Sequence, residues 1–204
     1  MKKTDIKIAI DAGHGRNTPG KRSPDGVFRE WAWCKDVAEI VVETLRRRGY
    51  DCFLVNPEET DITLAERCRR INRVIEGSYT DKVLSVSIHC NAAGNGKQWY
   101  NARGWEVYTY TSPSPNSVKL AKAIYEAAKD AGFRTRPESH QQCYRKKNLA
   151  MCREPHCPAV LVEHFFMDNR EDCQYLLSPL SIYECAEVLV SGILDYIDSL
   201  CTSS

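Results

Sequence analysis

A chain of 204 residues is long enough to bury one substantial α/β core and too short for two comfortable ones. With 43% hydrophobic residues, 27% charged residues and a formal net charge of +1, it is globular and lacks the electrostatic bias that nucleic acid or an anionic membrane surface selects. The expectation is a monomer with neither nucleic acid nor a membrane as partner.

The start, Met1-Lys2-Lys3-Thr4-Asp5, is basic, but the apolar run after it is broken by Lys7 and ends in Asp11. That is too short for the core of a secretion signal, and no later segment approaches the roughly eighteen apolar residues of a membrane span. Synthesis in the cytoplasm without a signal peptide is expected. Ile8-Ala9-Ile10-Asp11-Ala12-Gly13-His14-Gly15 reads as a strand running into a glycine-flanked histidine. Strands of an α/β sheet present reactive groups at their carboxyl ends, and the two glycines allow a sharp turn there that exposes the imidazole. A Gly-His-Gly triplet is equally an ordinary tight turn with a solvated histidine.

Residues 16–27, rich in Gly, Pro, Asn and Ser, form a loop. Trp33, Val37, Ile40, Val41, Thr44 and Leu45 then recur at helical spacing over residues 28–48, closed by Arg46-Arg47-Arg48 and Gly49. Glu30 falls at the first turn of this helix. Residues 50–55 read as a second strand. Leu64, Cys68, Ile71, Asn72 and Ile75 give a second amphipathic helix that stops near Gly77. Val83-Leu84-Ser85-Val86-Ser87-Ile88, nearly continuous in apolar and small residues, predicts a central strand buried on both faces and ending in His89.

Glycine marks residues 91–103 as a flexible connection, and residues 105–110 alternate as a half-exposed strand would. A third helix is expected over residues 118–131, ending at Gly132, followed by a basic stretch at 133–148 without periodicity. Ala159-Val160-Leu161-Val162 is another buried strand, ending in Glu163, and residues 178–199 close with a long helix. Strands alternating with helices predict an α/β fold, a single domain with a mainly parallel twisted sheet flanked by helices on both faces.

Ten cysteines, Cys34, Cys52, Cys68, Cys90, Cys143, Cys152, Cys157, Cys173, Cys185 and Cys201, are scattered without a pairing framework or a Cys-x-x-Cys. They read as free thiols rather than as a disulfide scaffold or a structural zinc knot.

In a parallel sheet the carboxyl ends share one edge, so His14, His89 and Glu163 can converge there with Glu30. Two histidines and a carboxylate are a common catalytic zinc set, and a further carboxylate can serve as general base. On chemistry alone Glu30 is balanced between ligand and helix-dipole partner. Ile10-Asp11-Ala12-Gly13-His14-Gly15, Glu30, the Leu64…Arg67…Asn72 helix, Ser87-Ile88-His89-Cys90-Asn91-Ala92, and Pro158-Ala159-Val160-Leu161-Val162-Glu163 with Phe165-Phe166 and Asn169 together resemble the zinc-dependent N-acetylmuramoyl-L-alanine amidases of the amidase_3 family. The resemblance spans about residues 6–194.

It implies Zn2+ as cofactor, with His14, Glu30 and His89 as metal ligands and Glu163 as the catalytic carboxylate. The implied reaction is hydrolysis of the amide between N-acetylmuramic acid and L-alanine of peptidoglycan, in a phage endolysin or a bacterial autolysin acting on the wall after release. A single catalytic domain over residues 1–204, without a separate wall-binding domain, is expected. The direct passage from Tyr110 to the helix at Val118 predicts an open site without an inserted plugging helix. Family members often carry proline where Ala12 stands and glycine before the phenylalanine, where this chain has His164. Strand alternation turns His164 away from Glu163, which makes it a structural or surface histidine. His140 and His156 fall in loops and are expected to be solvated. Arg67 and Asn72 are expected to make scaffold hydrogen bonds. Two rival readings remain, a catalytically silent peptidoglycan-binding module of the same fold and a cysteine amidase using Cys90. The second is opposed by alternation, which sends Cys90 and His89 to opposite faces.

Overall fold

The structure, a computed structural model, describes residues 5–76, 82–139 and 141–202. The basic start at residues 1–4, the helix stop near Gly77 and His140 lie outside them. Six strands, β1 (Lys7–Ala12), β2 (Asp51–Leu54), β3 (Val83–Asn91), β4 (Glu106–Thr109), β5 (Arg145–Lys146) and β6 (Ala159–Phe166), form one sheet in the order β2-β1-β3-β6-β4-β5. The four strands β2, β1, β3 and β6 are parallel, while β4 runs antiparallel to β6 and carries β5 parallel to itself. The sheet is thus mainly parallel, as the alternation of elements predicts.

Among the described residues six helices cover it: α1 (Glu30–Arg47), α2 (Leu64–Glu76), α3 (Pro115–Asp130), α4 (Ala150–Arg153), α5 (Arg170–Leu176) and α6 (Pro179–Thr202). On one face α1, α3 and α6 close the larger core over Ile8, Ile10, Leu84, Val86, Ile88, Val107, Val160 and Val162. On the other, α2 and α4 cover Ala9, Val83 and Leu161. The period-2 alternation of each strand makes this division. α6 lies so close to α3 that a Cβ on Gly192 would sit 2.5 Å from Ile124 Cα, which is why a glycine stands in mid-helix. Among the described residues no single helix is long and apolar enough to cross a membrane.

Several elements differ from expectation for identifiable reasons. α3 begins at Pro115 because Ser114 caps it, accepting from Ser117 N, and proline suits the first helical position. β4 is not half-exposed: Glu106, Val107 and Thr109 are all buried, since β5 and the chain leading into it cover that side of the strand. Strands β3 and β6 continue past His89 and Glu163, so these residues lie within paired strands rather than at their ends. The short α4 and α5 leave too little periodicity to be read from sequence.

Arg67 of α2 ties this scaffold to the end of β1. It is 2% exposed, and its Nη1 donates to Asp11 Oδ1 at 2.7 Å and to the Ala12 carbonyl at 2.5 Å. Its Nη2 donates to the His14 carbonyl at 2.8 Å and to Asp61 Oδ1 at 2.7 Å. Asn72 donates to the Glu154 carbonyl and accepts from His156 N, joining α2 to the chain after α4. Both residues therefore serve the scaffold, as expected. Removing one partner of a buried pair leaves an uncompensated charge, so Arg67→Ala should lower unfolding stability by about 3–5 kcal/mol in urea titrations. Arg69→Ala, whose guanidinium is 46% exposed and pairs with Glu66, should change it by less than about 1 kcal/mol.

Candidate active site

His14 leaves β1 in the left-handed region, φ 66°, a conformation that costs a non-glycine residue energy and persists only where the surroundings impose it. Those surroundings are explicit. Arg67 holds the His14 carbonyl, Gly13 N donates to the Ile88 carbonyl at 2.8 Å, and Gly15 N donates to Thr18 Oγ1 at 3.0 Å. Gly13 is required for a second reason, because a Cβ there would stand 2.6 Å from His89 Nδ1. The small residue lets the two imidazoles approach, and their rings meet edge to face at 4.8 Å between centroids.

Glu30, 1% exposed at the first position of α1, places its carboxylate between them. Oε1 lies 3.1 Å from His89 Nδ1 and 3.3 Å from His14 Nε2, and it accepts from Cys90 N at 3.1 Å. The carboxylate is thus turned to the imidazoles. One candidate ligand atom from each of His14, Glu30 and His89 fits within 4.8 Å of the others. Glu30 Oε2 and His14 Nε2 are shut from solvent without a hydrogen-bond partner among the described residues. Two imidazole nitrogens and a carboxylate, converging with orphaned lone pairs, fit a bound divalent metal ion.

Glu163 stands directly opposite His89 in the β3–β6 register, next to this cluster and outside it. Its Oε2 also has no hydrogen-bond partner among the described residues. Without donors to stabilise the charged form, burial pushes the Glu163 carboxyl up to about 7, against the opposing pull of His89. Glu30 goes the other way. Burial resists its ionisation, but the close imidazoles of His14 and His89 outweigh that and hold it well below the usual carboxylate range. Burial likewise opposes charge on His89, yet Glu30 wins and raises it.

The opposite face holds the residues that the site does not use. His164 is fully buried between Trp33 and Trp105, with ring centroids 5.3 Å and 6.1 Å away, and burial drives its imidazole down to about 3. It is structural rather than a surface residue. Phe165, φ 62°, is the extra residue of a bulge that shifts the β3–β6 register between His89 and Asn91. Cys90 lies in the larger core at 3% exposure with its thiol raised by burial, so it is neither near His89 on the same face nor ionised. All ten cysteines are free in the structure. His156 is exposed.

A network that the sequence analysis does not single out adjoins Glu163. Glu106, its register partner on β4, is 3% exposed and accepts from Tyr108 Oη at 2.6 Å and Asn91 Nδ2 at 2.7 Å. Arg136 Nε and Arg145 Nη1 lie 3.3 Å and 3.4 Å from its other oxygen. Its sequence signal is a glutamate at a strand position that proves buried, together with the basic stretch at 133–148.

The sequence matches the Amidase_3 family, described as N-acetylmuramoyl-L-alanine amidase, over residues 8–195. It is 27% identical to the endolysin of Bacillus phage SPP1 over 199 residues, covering 94% of this chain and 66% of the phage protein. It is 25% identical to the N-acetylmuramoyl-L-alanine amidase AmiC of Neisseria meningitidis serogroup B, covering 94% of this chain and 53% of the relative. The chain therefore spans about half to two-thirds of the length of these curated relatives. Among solved structures, an N-acetylmuramoyl-L-alanine amidase from Clostridium difficile 630 superposes with a TM-score of 0.83 at 25% identity, covering 96% of this chain and 98% of that one.

The raised carboxyl of Glu163 has a stability consequence in metal-free protein. Between about 4.5, its ordinary value, and about 7, the folded state keeps a proton that the unfolded chain has released, so this group's contribution to stability falls as pH rises through that window. Glu163→Gln cannot titrate. Relative to the parent, the variant should gain about 2.5 kcal/mol on going from pH 4.5 to 7 in denaturant titrations with chelator present.

Proposed function

The chain belongs to the Amidase_3 family of N-acetylmuramoyl-L-alanine amidases, and from that membership and the geometry of its sheet edge we propose that it hydrolyses the amide joining N-acetylmuramic acid to L-alanine in peptidoglycan. The observation that carries this reading is the cluster of His14, Glu30 and His89 with Glu163 beside it and unbonded. In this reading residues 6–194 are the catalytic unit, acting on the cell wall as a phage endolysin or a bacterial autolysin.

His14, Glu30 and His89 would hold Zn2+. A zinc ion supplies a Lewis acid for the amide carbonyl and lowers the pKa of water to roughly 7. The remaining work falls to the protein. Glu163 takes the proton from the attacking water and returns it to the departing amine of L-alanine, a task open to a carboxylate that stands beside the cluster with no bond to it. Cys90 N donates to Glu30 Oε1 and so fixes this carboxylate beside both imidazoles. Gly13 keeps the space that the His14–His89 approach requires.

Incubation of the zinc-loaded protein with purified sacculi should release peptides bearing a new L-alanine amino terminus, read by mass spectrometry. Chelation should abolish the release while most of the fold persists, and His14→Ala or His89→Ala should lose the metal. Glu163→Gln should keep close to one zinc per chain but cut hydrolysis by at least about a hundredfold, the usual contribution of a positioned base. Glu30→Gln should lose zinc. Binding to sacculi without release would identify a silent binding module, and full activity in metal-free protein would overturn the reading.

A further inference from the structure

The basic stretch at 133–148 has no part in the hydrolysis derived above, yet the fold delivers two of its arginines to the strand next to Glu163. We propose that Arg136 and Arg145 form a subsite for a carboxylate on the substrate's peptide, so that the site recognises an acidic second residue beyond the scissile amide. This inference rests on the amidase reading.

Both guanidiniums are built in from below. Glu106 Oε1 lies 3.3 Å from Arg136 Nε and 3.4 Å from Arg145 Nη1, while its Oε2 is occupied by Tyr108 and Asn91. The Arg136 guanidinium also lies over the Phe166 ring, 4.7 Å from its centroid. Their orientation is therefore imposed before any ligand arrives, which lowers the entropic cost of using them. The clamp leaves them incompletely satisfied. Arg136 Nη1 has no hydrogen-bond partner among the described residues, and the two side chains remain 33% and 30% exposed.

The charge balance points the same way. Glu106 is a single buried negative charge facing two guanidiniums. The second is met by Glu138, whose side chain is 46% exposed and stands 3.5 Å from Arg145 Nε, a pair that solvent screens and that a ligand can displace. A planar carboxylate is the ligand that arginine forks match.

Distance selects which carboxylate. Glu106 pairs directly with Glu163 across adjacent strands, which lie about 4.8 Å apart, so the guanidiniums sit roughly one strand beyond the reacting position. Two extended residue steps cover about 7 Å. In the stem peptide the residue after L-alanine is a γ-linked D-glutamate, whose α-carboxylate falls at that reach and occurs either free or as the carboxamide.

The test compares two soluble muropeptides that differ only at this group, one with D-isoglutamate and one with D-isoglutamine as second residue. The unmodified enzyme should cleave the carboxylate form with kcat/KM at least about tenfold higher, the scale of one charge-assisted hydrogen bond, with the difference mostly in KM. Arg136→Gln and Arg145→Gln should each bring the ratio of the two substrates toward one. Equal kcat/KM on both substrates with the unmodified enzyme would overturn the subsite without recourse to any variant that fails to fold. A preference that survives in both variants would show that the arginines serve only to neutralise Glu106. Release of peptide from neither muropeptide would overturn the amidase reading itself, a distinct result.

Discussion

The geometry of the whole site depends on the Arg67 guanidinium, which gathers the end of β1 into a single conformation. A left-handed histidine between two glycines is a poor choice for an isolated chain, since glycine gives the turn many alternatives and His14 resists this one. Five acceptors, on Asp11, Ala12, His14, Asp61 and Ile62, converge on one planar cation that is 2% exposed. Burying such a charge is costly, and its pairing with Asp11 offsets that cost rather than adding net stability. What the pairing secures is position: the His14 imidazole is aimed by a residue three elements further along the chain.

A second constraint is the alternation of strand side chains. His89, Glu163 and Glu106 lie abreast on β3, β6 and β4, so this row crosses the strands at one level. Cys90, Val162 and Val107 stand behind them in the larger core. The antiparallel run of β4 matters here, because it brings the beginning of that strand, rather than its end, to the edge where β1, β3 and β6 finish. The bulge at Phe165 shifts the pairing just past Glu163, so that Asn91 meets Phe166 before the chain turns into α5.

Much of this was legible in the sequence because it is local. Apolar periodicity located the principal strands and helices, and glycine at positions 13 and 15 marked the turn that presents His14. What was not legible is non-local. Whether Glu30 serves a helix end or a metal depends on imidazoles that are 16 and 59 positions away, and only packing brings them within 3.3 Å and 3.1 Å. The exposure of β4 was misjudged for a similar reason, since its cover comes from a two-residue strand too short to carry a pattern. Glu106 looked like the polar half of an alternating strand. Its true setting, beneath two arginines and a tyrosine, is assembled from three separate segments.

Three glutamates of one chemical type thus occupy one sheet edge with different surroundings, and the surroundings separate them. Glu30 is buried among donors, so its charge is favoured despite desolvation; Glu163 is buried without donors, so its proton is favoured. Had the two been placed alike, they would compete for one proton at close range and neither would hold a defined state. The imidazole pair breaks that symmetry by serving Glu30 alone through direct contacts, while the register places Glu163 one strand beyond. In the metal-free protein one sheet edge thus carries a carboxylate held charged and another whose proton exchanges near neutrality. The fold achieves this division by backbone placement, with Glu30 at the start of α1 reaching in from the end of the sheet and Glu163 standing on the sheet itself.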